Sequence, residues 1–229
     1  MATDELAWFF DRLKSGIPFA FGRFNDGEMG GIMNEGFVAA RGDQRVGSDL
    51  REALKSALLH KQENYFVGIP CPLCFPKKYD ATIDLIGGKD EHVKLAVNLT
   101  NRNWKKFTNA IGKHLKGKKV YWVSGEDQRV ENLSFKVHET KMFPRKNSWA
   151  HYESIKGYYE EIDEGSIVFL SCGPLANVLV HEWFQKRPDL TILDVGSTFD
   201  PFTRGVRWRC HLGWEETGFN KVPRCESCN

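Results

Sequence analysis

Short apolar runs alternate along this chain with longer segments of helical periodicity. The runs occupy residues 65–69, 120–123, 166–171 and 190–195, and each is largely apolar along its whole length instead of at every second position. Strands of that kind are buried on both faces, as in a parallel sheet that helices cover on both sides. The alternation therefore predicts an α/β fold with a mainly parallel sheet and helices on both faces.

Helical spacing of apolar residues predicts five helices, at residues 4–14, 48–61, 100–115, 148–162 and 174–186. An aromatic run at residues 18–24 ends at Asn25-Asp26-Gly27 and predicts a further strand that leads into a tight turn. After Gly196 the pattern gives way to an aromatic, arginine-rich stretch. The chain has 229 residues, so we expect a single domain over residues 1–229, with residues 197–229 as a C-terminal segment.

The charge balance argues against some classes of partner. The chain has 32 Lys and Arg against 30 Asp and Glu, a formal net charge of +2, whereas proteins that bind nucleic acid or anionic lipid without specificity are strongly basic. The near-neutral net charge does not exclude a local basic groove. No apolar run reaches the roughly 18 residues of a membrane span, and the first residues do not resemble a signal peptide. We therefore expect a cytoplasmic protein whose cysteines are reduced.

Polar residues follow four of the predicted strands, at the points where ligands bind in open α/β sheets. In chain order they are Arg23, Asn25, Asp26 and Glu28, then Ser124, Gly125 and Glu126, then Ser171, Cys172, Gly173 and Pro174, and finally Asp194, Gly196 and Ser197. Because the carboxyl ends of parallel strands meet at one edge of a sheet, we expect these groups to converge.

Asp26-Gly27-Glu28 places two carboxylates one residue apart. Oxygen ligands of this kind suit Mg²⁺ or Mn²⁺, which proteins commonly bind through one or two carboxylates together with phosphates and water. The alternative is an ordinary surface turn in which Glu28 is solvated or caps the next helix. Arg23 beside the pair would suit a phosphate, which arginine binds in bidentate fashion, or a strand-end ion pair.

Several other positions have both a ligand-binding and a structural interpretation. Gly173 precedes a predicted helix whose N-terminus could bind a diphosphate. An ordinary turn between strand and helix explains the glycine equally well. Asn147 and Trp149 could hold a base or a sugar. Alternatively, this segment only starts a helix, and Trp149 anchors that helix in the core. Asp194 ends an apolar strand, where a carboxylate is costly unless it is paired, catalytic or fixes a loop. Cys172 is interpreted as a small buried residue.

Two C-x₂-C pairs stand far apart in the chain, Cys71 with Cys74 and Cys225 with Cys228. Each pair has the spacing with which two thiolates share one tetrahedral Zn²⁺, so the four together would complete a structural zinc site. The fold would have to bring the pairs together, with the second pair stapling the C-terminal segment. Free thiols and a redox C-x-x-C pair are the alternatives.

The segment FGRFNDGE at residues 21–28 resembles the R-[FY]-G-D-G-E signature of the GT-D-type glycosyltransferases, a family first classed as a domain of unknown function. Three later segments are similar to the family in the same order. They are residues 144–149, like its P-x-x-N-[AS]-aromatic segment, residues 167–176, like its apolar strand followed by Gly-Pro-x-Ala, and residues 193–196, like its Asp-x-Gly element. The sequence departs from the family in Asn25, where Gly is usual, and in its cysteine pairs and aromatic tail.

The resemblance implies a Rossmann-like α/β fold, a nucleotide-sugar donor, and a D-x-E motif that meets the donor diphosphate through Mn²⁺ or Mg²⁺. It makes Asp26 and Glu28 the metal and diphosphate site, with Arg23 beside them and with Asn147 and Gly173 on the donor side. Our full set of candidate donor contacts is Arg23, Asn25, Asp26, Glu28, Ser124, Asn147, Trp149 and Gly173.

The leading hypothesis is a metal-dependent glycosyltransferase that moves a hexosyl or pentosyl group to a hydroxyl of a glycan or another acceptor. Asp194, and after it Glu126, is the candidate base that prepares that hydroxyl. The arginines and tryptophans of the tail, such as Arg207 and Trp208, could line an acceptor cleft or pack against the sheet. The alternative is a zinc-stapled module whose basic aromatic tail binds nucleic acid, and a glycosyltransferase acting on modified DNA bases would unite the two.

Overall fold

The structure, a computed structural model, describes residues 5–34, 46–99 and 103–205. These ranges contain a seven-stranded sheet in which every strand pairing is parallel. The strands are β1 (Ala20–Arg23), β2 (Tyr65–Ile69), β3 (Val93–Leu95), β4 (Val120–Gly125), β5 (Glu139–Phe143), β6 (Ile167–Ser171) and β7 (Thr191–Asp194). Their order across the sheet is β3-β2-β1-β7-β6-β4-β5.

The α-helices of the described residues connect or flank these strands. They are α1 (Glu5–Ser15), α2 (Asp26–Ile32), α3 (Ser48–Leu59), α4 (Pro76–Ile86), α5 (Trp104–His114), α6 (Tyr152–Ile155), α7 (Leu175–Lys186) and α8 (Asp200–Thr203). No helix in these ranges combines the length and the apolar character that crossing a bilayer requires.

The sheet separates two hydrophobic cores. On one face, Leu54 of α3 and Trp183 of α7 pack with strand residues such as Val168. On the other face, Phe9 of α1 and Phe107 of α5 pack with strand residues that include Phe21, Trp122 and Phe169. The five central strands are buried on both faces because helices cover both, which confirms the α/β fold with a parallel sheet.

The apolar runs at residues 18–24, 65–69, 120–123, 166–171 and 190–195 all form strands, as predicted. The single helix predicted for residues 148–162 is wrong. That stretch forms a 3₁₀ turn at Ser148–His151, the short α6, and a second 3₁₀ turn at Tyr158–Glu161. Two side-chain hydrogen bonds hold the separate turns in place. Trp183 Nε1 donates to the Lys156 carbonyl at 2.8 Å, and the Tyr158 hydroxyl donates to Glu139 Oε1 at 2.6 Å.

The tight turn predicted after the first strand is instead the start of α2, which begins at Asp26. Glycine disfavours helices, so the three glycines of the DGEMGGI segment hide this helix from sequence patterns. Packing explains one of them, because a Cβ at Gly31 would approach Val46 Cγ2 to 2.9 Å. The helix places Asp26 and Glu28 in its first turn, directly above the end of β1.

Candidate active site at the carboxyl edge of the sheet

The centre of the candidate site is the pair of strand ends formed by β1 and β7. These strands are neighbours, with Phe21 opposite Leu193, so Arg23 and Asp194 both lie at the carboxyl edge of the sheet. Both are buried, with exposed fractions of 7% for Arg23 and 5% for Asp194. Two ionisable residues so deeply buried require partners, and the structure provides them.

The Arg23 guanidinium braces two loops at this edge. Its Nε donates to the carbonyl of Ala96 at 2.9 Å, and its Nη1 donates to the carbonyl of Val195 at 3.0 Å. Gly196 allows the second contact, since a Cβ there would come within 2.7 Å of Arg23 Nη1. Arg23 therefore ties the end of β1 to the segments that follow β3 and β7, and it places positive charge beside Asp194.

The side chain of Asp194 is fixed by a hydrogen bond, and its pKa is raised. The Gly196 N–H donates to its Oδ1 at 2.8 Å. Burial raises the pKa of Asp194 from 3.8 to about 6, against the opposing effects of Arg23 and the Gly196 N–H. A carboxylate with this pKa is ionised at pH 7 and is basic enough to take up a proton.

Glu28 is the second acidic group beside this pair. The N–H of Asn25 donates to Glu28 Oε2 at 3.1 Å, which anchors the carboxylate at the start of α2. Burial, followed by the negative charge of Asp194, raises the pKa of Glu28 from 4.5 to about 7. Charges of like sign repel one another in such a buried site, so a bound cation would favour the ionised form of both groups.

Asp26 lies beside Glu28 in the first turn of α2 and is partly exposed. Its carbonyl accepts a hydrogen bond from Nζ of Lys78, at 2.8 Å. Lys78 belongs to the first turn of α4, the helix that follows β2. No sequence pattern links Lys78 to Asp26, because 52 residues of chain separate them.

A hydrogen-bond network joins the ends of β4, β6 and β7. The Ser171 hydroxyl donates to the Gly196 carbonyl at 2.7 Å, and Gln128 Nε2 donates to that hydroxyl at 2.8 Å. Gln128 is fully buried and also accepts from Nε1 of Trp122, at 3.1 Å. Sequence reasoning missed Gln128, whose loop gives no sign that its side chain turns inward.

The turn between β6 and α7 contributes one open position and one buried one. Gly173 has φ +64°, and a Cβ there would meet nothing within 4 Å, so its backbone is open to a ligand. Asn177, in the first turn of α7, is fully buried and donates through Nδ2 to the Arg23 carbonyl at 3.1 Å. Asn177 also escaped the sequence analysis, although a lone amide in an apolar helix was a usable signal. Burial raises the pKa of the Cys172 thiol, in accord with a small buried residue.

Four other predicted residues lie beside β4 and β5. The buried Ser124 hydroxyl donates to the carbonyl of Gly125 at 3.2 Å, and Glu126 is exposed. Asn147 is exposed and has φ 53°. Trp149 is partly buried and stacks on Tyr152 with ring centroids 4.8 Å apart, as a core anchor would.

The cysteine pairs are only half described. Cys71 is buried and Cys74 partly exposed, in the loop between β2 and α4. Cys225 and Cys228 lie outside the described residues, as do Arg207 and Trp208 of the tail. The zinc site and the nucleic-acid-binding alternative therefore stay predictions. Within the described part of the chain, no three His, Cys, Asp or Glu residues are placed to hold a metal ion together.

Comparison with known proteins gives a clear result at the level of structure. A selenomethionine-substituted structure of domain of unknown function 1792, DUF1792, superposes with a TM-score of 0.68 at 17% identity, over 86% of this chain and 79% of that chain. The chain shares the DUF1792 fold. A second DUF1792 structure, described as having a distinct glycosyltransferase fold, matches with a TM-score of 0.67 at 17% identity over the same shares of the two chains.

A third structure is described as a new glycosyltransferase (DUF1792) from Streptococcus sanguinis. It matches with a TM-score of 0.65 at 18% identity, over 86% of this chain and 82% of that chain. No protein-family model and no curated protein matches the sequence. At these identities the likeness concerns the fold, and the fold is the one that the FGRFNDGE segment led us to expect.

Proposed function

We propose that this chain is a glycosyltransferase that moves a hexosyl or pentosyl group from a nucleoside-diphosphate sugar to a hydroxyl acceptor, with Mn²⁺ or Mg²⁺ as cofactor. The observation that carries the proposal is the position of Glu28 and Asp194. In a glycosyltransferase fold, the partly buried Glu28 and the buried Asp194 are close enough that the charge of Asp194 raises the pKa of Glu28. They lie at the carboxyl edge of the sheet, where ligands of open α/β sheets bind.

The acidic residues of α2 fit a divalent cation. Asp26 and Glu28 would hold it through one or two carboxylate oxygens, and the donor diphosphate and water would complete its coordination, as is usual for Mg²⁺. The raised pKa of Glu28 supports this assignment, because burial and the charge of Asp194 leave its ionised form in need of a positive partner. A cation bound there supplies positive charge that neutralises the departing diphosphate.

Asp194 is the residue that we assign to proton transfer. It would accept the proton of the acceptor hydroxyl, and Arg23 and the Gly196 N–H would then keep its side chain in position. Glu126, the other candidate base, is exposed and follows β4, which β6 separates from β7. The open backbone at Gly173, at the start of α7, would allow a phosphate to approach closely.

Donor binding tests this proposal. Titration calorimetry would measure a panel of nucleotide sugars with and without Mn²⁺, for the wild type and for the variants Asp26→Asn and Glu28→Gln. Asp80→Asn, an exposed acid on α4, is the matched control. We expect metal-dependent binding that both site variants weaken at least tenfold and the control leaves unchanged. Equal binding by the wild type and both site variants would refute the assignment.

We further propose that Cys71, Cys74, Cys225 and Cys228 hold a structural zinc ion. In support, Cys71 and Cys74 lie in one loop, close together in the chain at the carboxyl end of β2. Elemental analysis of the purified protein should give about one zinc per chain, and Cys74→Ser should abolish it. Zinc at full occupancy in the Cys225→Ser, Cys228→Ser double variant would contradict the four-cysteine site.

A further inference from the structure

We infer that His60 and His181 form a binding site for a divalent transition-metal ion of the kind that imidazole prefers, such as Zn²⁺, Cu²⁺ or Ni²⁺. The two rings lie beside Tyr65, the first residue of β2. The site is therefore at the amino end of this strand, whereas the candidate active site is at the carboxyl edge of the sheet. The inference does not depend on the proposed function.

Two helices that pack against each other bring the histidines together. His60 directly follows α3, and His181 lies in the middle of α7. The ring centroids of the two histidines are 4.6 Å apart. The Tyr65 centroid is 5.0 Å from that of His60 and 6.1 Å from that of His181. Tyr65 is buried, and its hydroxyl donates to the Ala57 carbonyl at 2.8 Å, so both imidazoles pack on a fixed ring.

One nitrogen of each imidazole points to the same atom. Gln185 Nε2 is 2.7 Å from His181 Nε2 and 3.3 Å from His60 Nδ1. An amide NH₂ group has two hydrogens to donate, so the two ring nitrogens face it with their lone pairs. Gln185 is exposed, and its side chain can turn away into solvent. A metal ion could then take the place of the amide between the two lone pairs.

A further hydrogen bond fixes the tautomer of His60 that such a site requires. Its Nε2 is 3.0 Å from Gln62 Oε1. An amide oxygen only accepts, so we assign the ring hydrogen of His60 to Nε2, which leaves the lone pair on Nδ1. Metal-binding histidines commonly donate their second N–H to an oxygen in this way, and the bond orients the ring.

The surroundings of His181 keep its ring neutral, as a metal ligand must be. Burial, followed by the charge that His60 carries when protonated, lowers the pKa of His181 from 6.5 to about 4. His60 and His181 are both partly exposed, so an ion can reach them from solvent. Water would complete the coordination of a metal ion held by two imidazoles. Such a site would lose its ion on dialysis more readily than the four-cysteine zinc site proposed above.

Calorimetric titration of Ni²⁺ into the untagged protein tests the inference. Excess Mg²⁺ is present, because it competes for carboxylate oxygens and leaves imidazole free. The variants are His60→Asn and His181→Asn, which each remove one ligand, and Gln185→Glu, which places a carboxylate where the amide now faces both rings. His138→Asn, at an exposed histidine, is the matched control. Thermal melting of each variant without metal confirms that it is folded.

We expect one Ni²⁺ per chain at a site that either histidine variant weakens about tenfold or more and that His138→Asn leaves unchanged. Ni²⁺ should raise the melting temperature of the wild type, since the folded chain alone holds the two rings together, and should raise it less in the histidine variants. Gln185→Glu should bind Ni²⁺ more tightly, because it adds a third ligand.

Three results would overturn the inference. The first is a wild type that binds no Ni²⁺, and the second is unchanged affinity in either His60→Asn or His181→Asn. The third is a Gln185→Glu variant that binds no more tightly than the wild type. This exposed substitution keeps the test decisive even if a histidine variant fails to fold.

Discussion

Replacing Glu28 by Gln should stabilise the fold at neutral and higher pH while it removes metal-dependent donor binding. The pKa of Glu28 is raised from 4.5 to about 7 by burial and by the charge of Asp194. Such a change corresponds to about 3 kcal/mol, since each tenfold shift of a protonation equilibrium is worth about 1.4 kcal/mol. Folding therefore opposes ionisation of Glu28, and a neutral amide of the same shape avoids that cost.

The sign of the pH dependence follows from linkage. Below pH 4.5 Glu28 is protonated in both the folded and the unfolded chain, so Glu28→Gln leaves the free energy of unfolding nearly unchanged. Between pH 4.5 and about 7 the unfolded chain loses the proton first, so the wild type loses stability relative to the variant. Above pH 7 the difference is constant, with about 3 kcal/mol as its upper limit.

Urea unfolding at pH 5 and pH 8, with EDTA present to exclude divalent cations, measures this effect. We expect Glu28→Gln to be more stable than the wild type by about 1–3 kcal/mol at pH 8 and by less than about 1 kcal/mol at pH 5. The exposed Glu126→Gln is the control and should change stability by less than about 0.5 kcal/mol at both pH values. A variant that is less stable than the wild type at pH 8 would refute the reasoning.

Two further substitutions test the neighbours of Glu28. Gly196→Ala should destabilise the protein by about 2 kcal/mol or more in urea unfolding, because its Cβ would lie 2.7 Å from Arg23 Nη1 at a φ of +46°; a neutral effect would mean that Arg23 does not depend on this loop. Asp194→Asn should keep donor binding within threefold but lower kcat at least a hundredfold, and the wild-type kcat should rise with pH through about 6. Full activity in Asp194→Asn would exclude it as the base.

The central strands could be predicted because burial on both faces leaves a continuous apolar run. The two edge strands, β3 and β5, could not be predicted in this way. β5 is mostly exposed, with the sequence Glu-Thr-Lys-Met-Phe, and β3 has three residues, so neither carries an apolar run. α4 buries only Thr82 fully, yet Tyr79, Ile83 and Ile86 recur at helical spacing and pack against the core, so this helix had a usable signal in the sequence. The local pattern fails wherever an element is held mainly by its neighbours in space.

The candidate site divides in the same way. Arg23, Glu28 and Asp194 could be proposed from the sequence because each lies at the end of a recognisable strand or a few residues after it. Lys78 and Asn177 reach the site through contacts that span 52 and 154 residues of chain. The partners in these contacts are too far apart in the chain for a local pattern to pair them, although the lone amide of Asn177 in an apolar helix was itself a signal. The ring of Trp149 packs on Tyr152, and its contact with a donor stays a prediction.

The most direct test of the account is a crystal structure of the protein with Mn²⁺ and the nucleoside diphosphate that binds best. Anomalous scattering would locate the manganese. We expect one manganese at about 2.1 Å from a carboxylate oxygen of Asp26 or Glu28 and from an oxygen of the diphosphate, at the carboxyl edge beside Asp194. A nucleotide bound elsewhere, or manganese that contacts neither carboxylate, would contradict the account.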